Sequence, residues 1–246
     1  MADSGHSQGH STATLRLKVG DLSIAHPITV PSGPVAATAV LPALQGLVNA
    51  TVGAAESGKA ISCRKGCGAC CRQLVPISRT EGERLLAVVE ALPEDRRAAV
   101  EARFAEAEAA LAGAALDEML LDPKRRIDRT DRELSLAYFA LGLPCPFLEE
   151  ESCSIHPERP LVCREYLVTS PAELCAGRQQ EGVTPLPVPK LSPIARQLQD
   201  DGDAWFPLAL LSAWKRRRAP TSIERTGIKR TGPDWIRRFL RKLGSG

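Results

Sequence analysis

Apolar and polar residues alternate through Leu15, Leu17 and Val19 and again from Leu22 and Ile24 toward Ile28 and Val30, with Gly20-Asp21 between the two runs. A period of two turns one face of an extended chain toward a core, and Gly-Asp suits a primed two-residue turn, so the pattern predicts a short β-hairpin. From Val35 to Glu56 the spacing becomes helical in an Ala/Leu/Val-rich stretch, interrupted at Pro42 and Gly46 and stopped at Ser57-Gly58. Ser78-Arg79-Thr80-Glu81 reads as a capping box, in which the Ser hydroxyl and the Glu carboxylate each satisfy a free amide; it predicts a helix to about Ala91. Pro93 opens another over Glu94 to Ala112, whose mixed charges leave little apolar breadth and most of its surface in water. Leu134, Ala137, Tyr138 and Leu141 make one face of a further helix over Asp131 to Leu141.

Beyond Cys175 the periodicity lapses. Gly182 to Pro193 holds Pro185, Pro187, Pro189 and Pro193, which predicts an extended, polyproline-like linker. Two helices then close the chain. Ala204 to Lys215 aligns Trp205, Leu208, Leu211 and Trp214, and Pro233 to Leu243 sets Ile236, Phe239, Leu240 and Leu243 on one face against Arg237, Arg238, Arg241 and Lys242 on another. The expected fold class is mainly α: helices around a loop-borne cysteine cluster, with a small N-terminal β-hairpin. The expected division is a disordered tail at 1–13, hairpin and helix at 14–58, a cysteine-cluster domain at 59–178, the proline-rich linker at 179–203 and basic C-terminal helices at 204–246.

A chain of 246 residues buries a real core, so cross-links are not needed for want of size. No apolar run follows a positive start near Met1, and no stretch is expected to approach the length of a membrane span; the expected setting is a reducing cytoplasm. The net charge of +3 conceals an asymmetry: Lys215 to Gly246 carries eleven Lys/Arg against Glu224 and Asp234, a local +9, and the remainder is −6. A solvated extension explains this first. The basic C-terminal helix is also a candidate contact for a protein partner, and nucleic acid is a less favoured one because no recognised binding motif is present.

Candidate chemistry lies in the cysteines. Cys63, Cys67, Cys70 and Cys71 fall within nine residues, a second run supplies Cys145, Cys153 and Cys163, and Cys175 completes eight. In a reducing compartment such spacing reads as metal capture, since thiolates are soft ligands for zinc or iron–sulfur clusters. Gly66 and Gly68 let the backbone approach a metal closely. Arg64, Lys65, Arg72, Arg159 and Arg164 offset the charge of gathered thiolates. Side chains of adjacent residues point apart, so Cys70 and Cys71 do not readily serve one small ion, and the first run alone makes a poor tetrahedron. The two runs are therefore expected to converge on one site. Eight thiols exceed the four that one zinc needs, which slightly favours an iron–sulfur cluster over Zn2+. His156 is either a ligand or the cap of the Pro157-Glu158-Arg159-Pro160 turn, with the cap favoured; His6 and His10 read as tail residues.

Cys63-x3-Cys67-x2-Cys70-Cys71, then Cys145-Pro146-Phe147-Leu148, then Cys153-Ser154-Ile155-His156-x2-Arg159-Pro160-x2-Cys163-Arg164 resembles the YkgJ-type cysteine-cluster family, the zinc- or iron-chelating CxxCxxCC domain. The likeness covers Ser62 to Tyr166. This chain departs from the pattern in having three residues between its first two cysteines and His156 where Tyr is common, and Cys175 lies outside the core motif. The resemblance implies metal binding with an unresolved redox or metal-handling role. A related group, the flagellin lysine-N-methylases, is similar in its cysteine pattern and implies an alternative, a cluster-dependent protein-lysine N-methylase-like enzyme. A third reading is a zinc-stabilised, nucleic-acid-associated protein.

Overall fold

In a computed structural model, residues 9–126, 130–177, 181–199, 205–218 and 230–244 are described. The N-terminal alternation folds as an antiparallel hairpin of β1 (His10–Val19) and β2 (Leu22–Pro31), in register from Val19↔Leu22 to His10↔Pro31. Gly20 takes φ +59 at the first turn position, which a side chain would resist. The strand starts at His10, ahead of the apolar alternation, because the Thr12 and Thr29 hydroxyls pair across the ladder at 3.0 Å. The expected tail thus lies outside the described residues only at 1–8, His6 included, and His10 is an exposed strand residue.

β3 (Pro34–Val35) and a 3-10 turn at Ala37–Val40 lead into α1 (Leu41–Glu56), with Pro42 in its first turn where no amide donor is required. Contrary to expectation, one stretch does reach span length: Ala37–Glu56 is long and apolar enough to cross a membrane, with mean hydropathy 1.2. Half of it is buried here, where Leu41, Leu44, Leu47 and Val48 pack with Ile24, Ile28 and Val30 of the hairpin.

The middle of the chain follows its local signals. After β4 (Pro76–Ile77), the capping box starts α2 (Arg79–Glu90), with Glu81 N–H donating to Ser78 Oγ at 3.1 Å and Ser78 N–H donating to Glu81 Oε2 at 2.8 Å. α3 (Glu94–Gly113) buries only a stripe, Val100, Phe104, Ala107 and Leu111. α4 (Asp117–Leu121) and α5 (Asp131–Ala140) follow, α5 capped by Thr130 and Glu133. The second cysteine run contains the small hairpin β5 (Leu148–Glu149) and β6 (Ser152–Cys153), then α6 (Leu161–Glu165).

The proline-rich stretch is extended, yet it packs as a strap. Leu186, Val188 and Leu191 are buried in the same core as α1, and Leu186 N–H donates to Leu167 O at 2.8 Å. Its end is clasped by the buried Glu165 carboxylate, which accepts from Leu191 N, Ser192 N and Ser192 Oγ as α7 (Ser192–Arg196) begins. The prolines fix φ, and the alternate apolar side chains between them fill the core.

The expected helix from Ala204 starts later. Residue 204 lies outside the described residues, Phe206–Pro207 is β7, paired with β4, and a 3-10 turn precedes α8 (Leu211–Arg217). Pro207 explains the shift, since its ring disfavours helical geometry at Phe206. β8 (Arg230–Thr231) pairs with β3 and opens α9 (Gly232–Leu243), whose Trp235, Ile236 and Phe239 enter the first core cluster. The basic C-terminal helix docks on its own chain.

Contacts within the chain account for part of the charge asymmetry. Lys215 pairs with Glu90, Arg216 with Glu108, Arg217 with Glu118, Arg218 with Glu83 and Arg237 with Asp234. Arg238 donates instead to the Leu198 carbonyl at 2.7 Å. Four basic residues of α8 and its end thus meet acids of α2, α3 and α4.

Candidate metal centre

Both cysteine runs are built from turns. In the first, Gly66 takes φ +83, Cys67 N–H donates to Arg64 O, and a 3-10 turn at Ala69–Arg72 carries Cys70 and Cys71. Gly68 is buried against the β5–β6 turn so closely that a Cβ there would stand 2.7 Å from the Glu151 carbonyl oxygen. That turn is strained in its own right: Glu150 and Glu151 take φ 48 and 56, a left-handed geometry that side chains resist. Arg72 crosses to it, its two terminal nitrogens donating to the Glu151 carboxylate at 3.0 and 2.6 Å.

The backbones of the two runs are joined directly. Cys145 N–H donates to Cys71 O at 2.7 Å, and on the other side Ser62 N–H donates to Val168 O at 3.0 Å. The second run rests on a core cluster in which Phe147 meets Phe104 edge-on with centroids 5.5 Å apart, and Ile155 packs beside it. A buried carboxylate ties that run to α2. The Glu81 oxygen left over from the capping box accepts from Leu161 N at 2.8 Å, at the start of the helix that carries Cys163.

Cys70 is the thiol whose charge most of the others feel. It interacts electrostatically with Cys63, Cys71, Cys145, Cys153, Cys163 and Cys175, drawn from both runs and from the turn after them. Cys67 sits by Cys63 and Cys175. Cys175 is buried, in a 3-10 turn at Ala172–Ala176, with the Tyr166 side chain against its sulfur and Gln73 against the Tyr166 hydroxyl. All eight thiols are free. The His156 side chain is exposed, with Arg159 and Arg164 as its charged neighbours.

Three of the sulfurs have the backbone amide of another residue against them. Val168 N–H reaches Cys63, Phe147 N–H reaches Cys145 and Ile155 N–H reaches Cys153, each favouring the thiolate. Burial works in the opposite direction: it pushes the Cys145 thiol up to about 12 and the Cys163 thiol well above its ordinary range. Cys70 is raised by the adjacent Cys71 thiol and then by burial. Among the described residues no three Cys, His, Asp or Glu side chains stand close enough to hold a metal ion, so the thiols converge without closing into a coordination shell. Soft donors from both runs, pre-oriented by amides and desolvated, are nevertheless the donor set that zinc or iron takes.

A cavity of about 390 Å³ opens beside Cys67, lined by Arg64, Gly66, Arg72, Glu151 and Glu173 among others. Its wall holds no aromatic side chain. The pairing of Arg72 with Glu151 and the contacts made by the spare oxygen of Glu81 join residues 79 and 80 positions apart, and no local pattern announces them.

Residues 62–182 match the family model CxxCxxCC, described as "Putative zinc- or iron-chelating domain". Neither a curated protein nor a solved structure matches the chain.

Proposed function

Residues 62–182 belong to the CxxCxxCC family of zinc- or iron-chelating domains, and from that premise we propose that the two cysteine runs supply one shared metal centre with Cys70 at its middle. The observation that carries the reading is the direct joining of the runs, with Cys145 N–H donating to Cys71 O at 2.7 Å, and Cys70 is an electrostatic neighbour of Cys63 and Cys71 in one run and of Cys145, Cys153 and Cys163 in the other. Cys175 and Cys67 complete the donor set. An iron–sulfur cluster is preferred to a single zinc because the thiols outnumber four tetrahedral positions. When bound, such a centre supplies either a cross-link between the runs or a one-electron redox site. The chain orients the sulfurs through Val168, Phe147 and Ile155 N–H and fixes the helix of Cys163 through Glu81. The eight free thiols suit a reducing, cytoplasmic setting.

The methylase-like alternative draws no support from the cavity beside Cys67, whose wall of small residues and arginine–glutamate pairs offers no aromatic face for a nucleoside-bearing methyl donor. The nucleic-acid reading is weakened by the pairing of Lys215, Arg216, Arg217, Arg218 and Arg237 with acids of the same chain.

Anaerobic purification with visible absorption and elemental analysis tests the proposal. Iron with acid-labile sulfide is the expected result. Stoichiometric zinc in a colourless protein would keep the shared centre and overturn the preference for iron. A folded protein that Cys70→Ser leaves with full metal content would remove Cys70 from the centre and the reading with it.

A further inference from the structure

Most arginines near the cysteine runs have an acid of their own: Arg72 has Glu151, Arg84 has Glu158 and Arg103 has Glu149. Arg159 and Arg164 differ. Arg164 is only 6% exposed and donates solely to neutral acceptors, Arg159 O at 3.0 Å, Asn49 Oδ1 at 3.2 Å and Pro157 O. Arg159 has a buried Nε without a hydrogen-bond partner, and among the described residues its guanidinium joins no ion pair. Thiols from both runs, Cys63, Cys70 and Cys153, feel its charge. Its cationic neighbour is Arg164, and the His156 imidazole beside both is held toward its neutral form by partial burial and by the two arginines.

A guanidinium keeps its charge at any pH a protein survives, so two of them side by side in a partly dry turn repel each other unless an anion lies within reach. The carboxylates nearby are engaged elsewhere. Glu158 is held by Arg84 at 2.6 and 3.0 Å, and both Glu81 oxygens accept from Ser78 and Leu161. The anion that fits the place is the cysteine cluster itself once its thiols have given up their protons to a metal. Four thiolates around a divalent ion leave a net negative charge of about two, which Arg159 and Arg164 match in number.

We infer that Arg159 is the built-in counter-cation of an anionic metal–thiolate centre, a positioning residue whose charge and unpartnered buried Nε are available to the sulfurs of both runs. The inference rests on the shared centre proposed above and specifies its charge. Arg159 has opposite effects in the two states of the protein: in the metal-free chain it adds repulsion against Arg164, and in the loaded chain it offsets thiolate charge.

The test compares the full-length protein with Arg159→Met and Arg159→Lys, using zinc as the probe because it needs no assembly machinery. The melting temperature of the metal-free protein is measured under reductant and chelator, and zinc retention is measured against a chromophoric chelator. Arg159→Met is expected to melt at or above the wild-type temperature without metal and to retain zinc about tenfold less well, and Arg159→Lys is expected to recover most of that loss. Arg159→Gln repeats the comparison if the Met variant aggregates. Retention within twofold of wild type in the Met variant would overturn the inference while leaving the shared centre standing. So would a parallel fall in metal-free melting and retention that Lys does not repair, since that marks a structural role. A wild-type protein that holds neither zinc nor iron would overturn both.

Discussion

A single methyl group at Gly68 separates the role of the turn contact from the stability of the fold. A Cβ there would lie 2.6 Å from Leu148 Cδ1, 2.7 Å from Glu151 O and 2.9 Å from the Glu151 carbonyl carbon. The leucine tip can rotate away. The carbonyl has little freedom, because Glu150 and Glu151 already occupy left-handed backbone geometry and Arg72 clamps the Glu151 side chain. Ordinary contact begins at 3.4 Å, so Gly68→Ala must push the first cysteine run from the second by about 0.7 Å, well beyond the roughly 0.2 Å that a metal–ligand bond tolerates. Overpacking of this kind costs about 1–3 kcal/mol, which for a chain of this size lowers melting by about 2–4 °C per kcal/mol. Metal retention should fall more than tenfold in a protein that remains folded, measured by chelator competition beside a thermal melt. Gly53→Ala is the control: that exposed glycine in α1 has nothing within 4 Å of its would-be Cβ, and the change should stabilise by about 0.5–1 kcal/mol without affecting metal. A Gly68→Ala protein with wild-type metal content and retention would show that the approach of the first run to the β5–β6 turn does not set the centre.

Phe239→Ala should destabilise by about 3–5 kcal/mol in a denaturant melt, because the ring is fully buried in the first core cluster, while metal per folded molecule stays unchanged by elemental analysis. Glu150→Gly should raise the melting temperature by the equivalent of about 1 kcal/mol, since glycine relieves the left-handed strain at φ 48 on an exposed position. Asp234 accepts from Thr231 Oγ1 and Arg237, which hold its carboxyl down at about 2 from an ordinary 3.8. A depressed folded-state value means that its contribution is whole above pH 3.8 and lost as pH falls toward 2, so Asp234→Asn should flatten the pH dependence of α9 unfolding in that window, followed by circular dichroism.

The elements that were legible in the sequence are those governed by neighbours. The Gly20-Asp21 turn, the Ser78–Glu81 capping box and the Pro93 start each depend on contacts within about four residues, and each folds as its local chemistry dictates. Gly182 to Pro193 shows where this stops. Pro185, Pro187 and Pro189 fix an extended backbone and Pro193 opens α7, but extension alone does not decide between a solvated linker and a packed strap; Leu186 and Val188, two apart, were the signal that one face goes inward. For Ala204 to Lys215 the apolar spacing suggested a helix along the whole stretch, and the residue before Pro207 vetoed its first part.

At the metal centre the same boundary separates ligands from their surroundings. Thiol spacing and the awkward pair Cys70-Cys71 were enough to expect that two distant runs meet, because a tetrahedron needs donors that one run does not present. The sequence did not rank the positive residues around them. Arg64, Lys65, Arg72, Arg159 and Arg164 looked alike by proximity to cysteine, yet Arg64 is 78% exposed and 4.0 Å from Glu173, Lys65 is exposed and Arg72 is taken by Glu151. Which cation faces the thiols depends on where acids from remote segments fall, and Glu151 is 79 residues from Arg72. Charge compensation at such a centre is therefore a tertiary property: Arg72 and Arg103 act on Cys71 and Cys145 while each is held by an acid, and Arg159 and Arg164 are the neighbours of the thiols that join no ion pair among the described residues.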